Sequence, residues 1–400
     1  MSPPGRPKGE SRRAQPEVPP ISPPGRPKGE SRRAQPEGIP VSGIQRPGRQ
    51  DFAPILIAWQ RQLGRHGLPW VGSRDPYRVW LSEIMLQQTQ VSTVLAYYGR
   101  FLQRFPDVAT LAAAHQDDVL ALWSGLGYYS RARNLHRCAQ AVVADHGGRF
   151  PASSVALATL PGIGRSTAAA IAAFCFGERC AILDGNVKRV LGRALGFGDD
   201  LAELRHERAL WREAEALLPD EGIEAYTQGL MDLGASLCSL RKPSCDACPL
   251  AGLCVARAEG RPEAYPVKTR KLKRGAREHV LLWLAQGDAL WLVQRPQTGV
   301  WAGLWSLPEF DSDEALWTLA AGWPATAGEG RPLAVVQHTL THFDWTLRPV
   351  HWPLPDRLDT ALRQVVELSL PTGRWVARGD ALAMGLPAPI RRLLEARPPA

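Results

Sequence analysis

The sequence of 400 residues predicts a multi-domain protein: an all-α domain that ends in a four-cysteine loop, then a smaller α+β domain. Three observations support this fold class. Helix-like apolar periodicity runs through residues 51–258, four cysteines cluster at residues 238–254, and short strand-like runs begin at residue 279. The expected domains are therefore a helical domain at 49–258 and an α+β domain at 279–400.

A basic repeat precedes the helical domain. Residues 2–17 read SPPGRPKGESRRAQPE, and residues 22–37 repeat them letter for letter. Because the repeat has no apolar face, residues 1–48 are expected to form a disordered basic tail. A non-specific DNA tether, a recent duplication or a start codon placed too far upstream would each explain it.

Positive charge is concentrated outside the predicted domains. Of the net charge of +9, residues 1–50 carry +6 (ten Lys/Arg against four Glu) and residues 259–278 carry +4 (seven against three), which leaves −1 for the rest. The second segment contains Pro262, Pro266 and the run KTRKLKR, so it is expected to be a basic linker. Basic arms favour a nucleic-acid backbone, although pI alone does not establish such binding.

The sequence contains no run of eighteen apolar residues and no apolar stretch near its N-terminus. It therefore predicts neither a membrane-spanning segment nor a secretion signal. We expect an intracellular, cytoplasmic protein whose thiols are reduced.

Local signals place the secondary structure. Asp75 and Pro76 form a helix start, and Ser166 is a candidate cap for a helix after Gly164. In the second domain, the strand-like runs HVLLWLA and ALWLVQR are separated by Gly287 and Asp288, a hairpin signal. The predicted helices are 53–65, 76–88, 91–104, 115–124, 130–146, 166–176, 186–195 and 205–218.

The cysteine loop has the spacing C-x6-C-x2-C-x5-C, formed by Cys238, Cys245, Cys248 and Cys254. Four soft thiolates in so short a segment suit an Fe–S cluster or a zinc ion. A disulfide framework is disfavoured because the chain shows no secretory signal. Cys138, Cys175 and Cys180 are scattered and look like small core residues.

The segment LPGIGRST, residues 160–167, contains Gly162 and Gly164 before an apolar helix. Two glycines permit a tight hairpin whose backbone N–H groups, with the helix N-terminus, can face an anion. A plain glycine turn between two helices is the alternative interpretation.

The segment SEIMLQQTQV, residues 82–91, places Glu83 and Gln87 four residues apart. On a helix they lie beside the apolar stripe marked by Trp80 and Ile84, at the edge of a cleft. A half-buried Glu there can have a raised pKa and act as a general acid. An ordinary surface Glu is the alternative.

Two further segments carry candidate residues. In LDGNVKRV, residues 183–190, Asp184 precedes an amphipathic helix, so it is a candidate N-cap, an anionic group directed into a cleft, or both. In GLGYYSRARN, residues 125–134, adjacent tyrosines could stack against bases or form a core pair.

These five motifs occur in one order, ending with the cysteine loop, and together they resemble the MutY-type adenine DNA glycosylases of the helix-hairpin-helix superfamily. The resemblance covers roughly residues 51–400. It implies an all-helical glycosylase domain with a [4Fe–4S] cluster held by the four cysteines. It also implies a nucleoid-associated monomer that removes adenine paired with 8-oxoguanine or guanine in duplex DNA, after flipping the base out of the stack.

The resemblance also implies roles for single residues. Glu83 would protonate the departing adenine, and Asp184 would stabilise the oxocarbenium-like sugar, directly or through a covalent intermediate. The cluster would be structural or redox-sensing. The residues implied to contact DNA are Gln87, Tyr128, Gly162, Gly164, Lys188, Thr341 and His342.

An endonuclease III-type glycosylase with lyase activity on damaged pyrimidines is the alternative within the superfamily. That chemistry needs a lysine nucleophile, and in that group the hairpin motif has a lysine two residues after the second glycine. Ser166 occupies this position, which favours a monofunctional glycosylase. Lys188 is nearby in sequence and could still form an adventitious Schiff base.

The second domain resembles a Nudix-like domain through RPQTGVWAGLWSLPEF, residues 295–310. The following DSDEALWTLAAGW lacks the glutamate-rich metal helix of Nudix hydrolases, so the resemblance implies a reader of 8-oxoguanine. Where the family commonly has Phe-Ser-His, this chain has Leu340, Thr341 and His342. Leu cannot stack as Phe would, so the strength of the preference for 8-oxoguanine over guanine is left open.

Two other classes of protein rank lower. A non-catalytic DNA-binding protein would be expected to lack Glu83 or Asp184, and both are present. A free-standing Nudix enzyme would need the missing metal helix.

Overall fold

The structure, a computed structural model, describes residues 48–269 and 274–396. The predicted tail therefore lies almost wholly outside the described residues. Twelve helices form the first part: α1 Phe52–Leu63, α2 Pro76–Leu86, α3 Val91–Arg104, α4 Val108–Ala113, α5 Gln116–Leu122, α6 Ser130–His146, α7 Ser154–Leu157, α8 Arg165–Phe176, α9 Gly185–Ala194, α10 Leu204–Ala216, α11 Ile223–Ser236 and α12 Val255–Ala258.

All eight predicted helices are found, each within two residues of its predicted ends. Helix α2 starts as predicted, because the Asp75 side chain accepts the N–H of Tyr77 at 2.9 Å and Pro76 follows it. Helix α11 was missed. Gly229 and Gly234 lower its helix propensity by about 1 kcal/mol each, which hides it from a local reading.

Tertiary packing explains those two glycines. A Cβ at Gly229 would lie 3.0 Å from a side-chain carbon of Leu56 on α1. A Cβ at Gly234 would lie 2.7 Å from the Cβ of Asn186 on α9. The absence of a side chain therefore lets α11 approach both neighbouring helices closely.

Two hydrophobic cores build the helical part. The first surrounds Trp80 and Trp123 and is formed mainly by α2 to α6. The second surrounds Leu56 and Tyr226 and is formed by α1, α9, α10 and α11. The alanine-rich helix α8 lies between the cores and contributes some of its residues to one and the rest to the other, as expected of a helix that is apolar all round.

The second part is a mixed sheet with helices, as predicted. Its strands and helices are β1 Gly275–Gln286, β2 Ala289–Gln294, β3 Trp305–Ser306, β4 Glu309–Phe310, α13 Asp313–Ala320, β5 Arg331–Pro332, β6 Val336–Thr339, β7 Phe343–Leu354, α14 Thr360–Ser369, β8 Gly373–Ala377, α15 Arg378–Leu382 and α16 Ala388–Ala396.

The centre of the sheet is the pair β1 and β7. They run parallel over twelve residues, and most of β7 and the central part of β1 are buried, whereas β1 begins with four exposed residues. Strand β2 turns back on β1 through Gly287 and Asp288, with Gln286 opposite Ala289, so the predicted hairpin is confirmed. Strand β1 begins at Gly275, inside the segment expected to be a linker.

The sheet packs directly against the helical part. Its β1 and β2 side chains Leu281, Trp283 and Leu290 belong to the first helical core, while the opposite face packs under α13 and α14. The Tyr129 hydroxyl donates to the Leu386 carbonyl at 2.9 Å across this contact. No helix in the described ranges is long and apolar enough to cross a membrane.

Candidate active site

A cavity of about 1370 Å³ lies between elements of the two helical cores. Glu83 and Gln87 line it from α2 and the residue that ends α2, as their helical spacing predicts. Asp184 lines it from the start of α9. The fold thus brings together the two carboxylates that the sequence singles out.

Glu83 projects from α2 into a desolvated position. Burial raises the pKa of its carboxyl to about 8, with a smaller contribution from the charge of Asp184. No hydrogen bond from the described residues is among the causes that act on it. Glu83 therefore holds a proton at neutral pH.

Asp184 has a different environment. Its side chain caps α9 by accepting the N–H of Val187 at 2.7 Å. Burial raises its pKa, but the N–H groups of Val187 and Asn186 act in the opposite direction, as do the charges of Arg189 and Lys188. These contacts favour the charged carboxylate and fix its direction.

The chain on both sides of Asp184 is held by hydrogen bonds. Gly164, not Ser166, occupies the N-cap position of α8, so the predicted capping role of Ser166 is wrong. Its hydroxyl instead accepts the N–H of Leu183 at 3.0 Å, because the chain folds back over the start of α8. Arg189 donates to the Asn186 side chain at 2.8 Å from the α9 side.

The glycine hairpin adopts the conformation that its sequence predicts. Gly162 has φ +77°, in the left-handed region, and a Cβ there would lie 2.6 Å from the Cβ of Asn134. Gly164 follows in extended conformation as the N-cap of α8. The hairpin therefore leads directly into a helix N-terminus, where backbone N–H groups are free of intrahelical partners.

Tyr128 lies in the wedge loop, which we define as residues 125–128. Its side chain is 46% exposed and its φ is +48°. The hydroxyl lies 3.5 Å from the Thr341 hydroxyl, in the turn 340–342 between β6 and β7. Thr341 and His342 are both exposed, so the structure brings these two predicted DNA-contact residues beside Tyr128, which is a third.

The other two predicted DNA contacts differ in position. Gln87 lines the cavity, and its amide donates to the Thr167 hydroxyl at 3.4 Å. Lys188 does not line the cavity, and its ammonium pairs with Glu207 at 2.8 Å. Its placement offers no direct support for contact with a flipped base.

The cysteine loop lies beside α9 and α12. Burial and the charges of the other three loop cysteines raise the pKa of the Cys248 thiol to about 11, so the four thiols interact electrostatically. Buried Arg193 donates to the Cys238 sulfur at 3.3 Å. Within the described ranges, no set of three or more His, Cys, Asp or Glu side chains is arranged to hold a metal ion. The donor chemistry, soft thiols beside a buried cation, still fits a group that binds thiolates.

A polar group on another wall of the cavity was not predicted from the sequence. Asp232, fully buried on α11, accepts from the Arg65 side chain at 2.7 Å and from Gln228 at 2.7 Å. Arg65 and Gln228 both line the cavity. Only recognition of α11 and of its contact with the end of α1 would have predicted this group.

Two family models match the chain. One, described as an HhH-GPD superfamily base excision DNA repair protein, matches residues 81–216. The other, described as a NUDIX domain, matches residues 279–396.

Similar proteins extend over most of the sequence. An adenine DNA glycosylase of Buchnera aphidicola subsp. Acyrthosiphon pisum is 33% identical over 344 residues, which cover 86% of this chain and 97% of that protein. The adenine DNA glycosylase of Homo sapiens is 34% identical over 358 residues, covering 74% of this chain and 65% of that protein.

Solved structures resemble each part separately. A thermostable thymine-DNA glycosylase has 30% identity and a TM-score of 0.48, covering 53% of this chain and 97% of that one. A MutT NUDIX hydrolase from Burkholderia pseudomallei has 20% identity and a TM-score of 0.24, covering 30% of this chain and 98% of that one.

Proposed function

This chain belongs to the adenine DNA glycosylase family of base excision repair enzymes, and we propose that it hydrolyses the N-glycosidic bond of adenine paired with 8-oxoguanine or guanine in duplex DNA. The observation that carries this proposal is the pair of unlike carboxyls in one cavity: burial raises the pKa of Glu83 to about 8, whereas at Asp184 backbone N–H groups and nearby cations partly oppose the effect of burial on the pKa. Such a pair supplies an acid and an anionic stabiliser for glycosidic cleavage.

The proton on Glu83 has a direct use in this reaction. Adenine is a poor leaving group as an anion, so protonation of a ring nitrogen lets it depart neutral. An acid with a pKa near the operating pH is efficient at this transfer. Its value of about 8 leaves Glu83 mostly protonated at pH 7.

Asp184 acts on the sugar. Departure of the base leaves positive charge on the ring oxygen and C1′, and a fixed carboxylate beside them stabilises that charge. The cap on α9 orients the carboxylate before the substrate arrives, so little reorganisation is needed. Water then adds to C1′, and its proton passes to the Glu83 carboxylate, which gave its own proton to the adenine.

The surroundings of Ser166 and Lys188 favour removal of the adenine base without cleavage of the DNA strand. The Ser166 hydroxyl, at the position of the lyase nucleophile, is engaged by the Leu183 N–H. The Lys188 ammonium is paired with Glu207. Neither group presents a free amine to C1′, which supports a monofunctional enzyme over the endonuclease III-type alternative.

The exposed residues around the cavity suit duplex DNA with one base extruded. Tyr128 and Gln87 fill the space that the adenine leaves, and the hairpin amides at Gly162 and Gly164 bind a phosphate. Thr341 and His342 reach the base opposite the adenine, and Lys188 contributes positive charge near the backbone.

The enzyme acts as a monomer in the cytoplasm, where it is associated with the nucleoid.

The cofactor proposed is a [4Fe–4S] cluster bound by Cys238, Cys245, Cys248 and Cys254. It would supply structure or redox sensing rather than hydrolysis, and Arg193 would donate a hydrogen bond to one thiolate ligand. Absorbance near 400 nm with iron and sulfide analysis distinguishes it from zinc.

Single-turnover cleavage of an end-labelled duplex tests the function. The substrate has one adenine opposite 8-oxoguanine, and matched duplexes place guanine or thymine opposite the same adenine. Strand breaks at this adenine only after hot alkali are expected for the two mispairs. Breaks without alkali would indicate a lyase, and no break in any duplex would indicate a DNA-binding protein or a different target base.

A further inference from the structure

Arg131 is a buried arginine outside the active-site cavity. It is the second residue of α6, its side chain is 8% exposed, and it is not among the residues that line the cavity. Burial lowers the pKa of its guanidinium to about 10, so it is charged at neutral pH. A buried charge is costly unless hydrogen bonds compensate for it, and its partners therefore indicate its role.

One side of the guanidinium holds the end of α2. Its Nη1 donates to the carbonyls of Ile84 and Met85, both at 2.9 Å. These carbonyls belong to the last turn of the helix, where no intrahelical N–H is available to them, and a cation is favourable at a helix C-terminus. Glu83 directly precedes Ile84, so these bonds fix the turn from which the acid projects.

The other side holds the wedge loop. Its Nη2 donates to the carbonyls of Leu126 and Gly127 and to the Thr89 hydroxyl, each at 3.1 Å. The guanidinium carbon lies 5.5 Å from the centroid of the Tyr128 ring. Tyr128 has a positive φ, which is unfavourable for a residue with a side chain, so its conformation requires such support.

We infer that Arg131 is a positioning residue for base excision: one guanidinium fixes both the turn that carries Glu83 and the loop that carries Tyr128. Insertion of the wedge into DNA is thereby tied to placement of the acid. This inference rests on the roles proposed for Glu83 and Tyr128. Lysine cannot replace the arginine, because an ammonium lacks the planar fork that reaches two separated sets of carbonyls.

The test is Arg131→Lys, studied by single-turnover excision. The rate constant of the active enzyme is expected to fall about 100-fold, since a displacement on the order of 1 Å has that effect. The alkaline limb of the pH–rate profile is expected to move to lower pH, because water reaches Glu83 when the last turn of α2 loosens. A lower active fraction with an unchanged rate constant and pH profile would show a purely structural role and overturn the inference.

A matched control is Arg179→Lys. Arg179 also donates to two backbone carbonyls, those of Leu218 and Pro219 at 2.9 and 2.8 Å, but it does not line the cavity. Its exchange is expected to leave the rate constant and the pH profile unchanged. An equal loss in this variant would overturn the inference, because it would show that lost carbonyl contacts slow excision wherever they occur.

If Arg131→Lys fails to fold, Thr89→Val tests the positioning role of Arg131 instead. It removes one acceptor of Arg131 while keeping the side-chain shape, and about fivefold slower excision is expected for one lost hydrogen bond. An unchanged rate would contradict the inference.

The role of Arg131 can be separated from that of Glu83. In a Glu83→Gln background, 2-aminopurine beside the target adenine reports base extrusion, and adding Arg131→Lys is expected to lower its fluorescence. Activity that persists in Glu83→Gln would refute the proposed acid and leave the extrusion result in place. Unchanged extrusion together with an unchanged rate in Arg131→Lys would refute the positioning role.

Discussion

The two carboxylates of the cavity differ in what surrounds them. Glu83 lies within a helix, where backbone N–H groups are already used, and its pKa is raised to about 8 by burial and by Asp184. Asp184 lies one residue before a helix, where N–H groups lack partners, and two of them oppose the effect of burial. Both groups are desolvated, but only Asp184 is compensated.

The position of each carboxyl relative to a helix end therefore explains why Glu83 suits the role of acid and Asp184 the role of anion. A carboxyl in the last turn of a helix, such as Glu83 on α2, receives no backbone hydrogen bond, so burial raises its pKa and suits it to be an acid. A carboxyl at an N-cap receives backbone hydrogen bonds and the helix dipole, so it stays ionised in an equally dry cavity.

The largest expected effect comes from removing the proton donor. Glu83→Gln keeps the side-chain size but cannot donate as an acid, so single-turnover excision should fall about 1000-fold, within the range of general acid catalysis. Binding of the mispaired duplex, measured by fluorescence anisotropy, should change little.

Glu178→Gln is its matched control. Glu178 accepts from the backbone and the hydroxyl of Ser154, and it does not line the cavity. Normal excision is expected from this variant. Adenine release by Glu83→Gln at the normal rate would show that the acid lies elsewhere.

Asp184→Asn should have the next largest effect. Asparagine is also a good N-cap, so α9 should keep its start while the negative charge is lost. Excision should fall about 100-fold, as for the loss of an electrostatic stabiliser. Asp107→Asn is the control, because Asp107 caps α4 through the Thr110 N–H at 2.7 Å and does not line the cavity. If the Asp184→Asn enzyme kept an excision rate within a fewfold of normal, the charge of Asp184 would not be needed to stabilise the sugar cation.

The pH dependence of the excision rate tests whether Glu83 and Asp184 differ in protonation as their surroundings predict. At limiting DNA the excision rate should fall about tenfold per pH unit above pH 8, as Glu83 loses its proton, and should also fall at acidic pH, as Asp184 gains one. In Asp184→Asn the alkaline limb should move to lower pH, because the like charge that raises the pKa of Glu83 is gone. Superimposable profiles would mean that the two carboxyls do not interact.

The smallest expected effect is on stability. The pKa of Glu83 is 4.5 as an ordinary glutamate and about 8 in the folded protein, so the folded state binds the proton more tightly. Its contribution is full below pH 4.5 and is lost as pH rises through 8. Glu83→Gln should therefore gain stability relative to the parent as pH rises from 5 to 9. Urea unfolding at several pH values measures this, and parallel curves for both proteins would argue against a raised pKa.

Local signals predicted much of the fold. Asp75 with Pro76 marked the start of α2, and Gly287 with Asp288 marked the β1–β2 hairpin, because caps and turns depend on a few adjacent residues. The four-residue spacing of Glu83 and Gln87 placed both on the cavity side of α2. These features need no information from distant parts of the chain.

Distant contacts explain the failures. Helix α11 was missed because Gly229 and Gly234 serve helix packing. The capping role predicted for Ser166 is wrong because Gly164 is the N-cap of α8 and the Ser166 hydroxyl accepts from Leu183. Lys188 is adjacent to the site in sequence, but its ammonium turns to Glu207 on α10.

The helical periods, the turns and the types of side chain in the site can be predicted from the sequence, since they are properties of neighbouring residues. Which carboxyl keeps its proton, and which residues hold the two walls of the site together, depends on the folded structure. Burial of Glu83, the partners of Arg131 and the Asp232 group all depend on residues far apart in the chain. Desolvation and hydrogen-bond geometry are set by that three-dimensional surrounding, which no local pattern encodes.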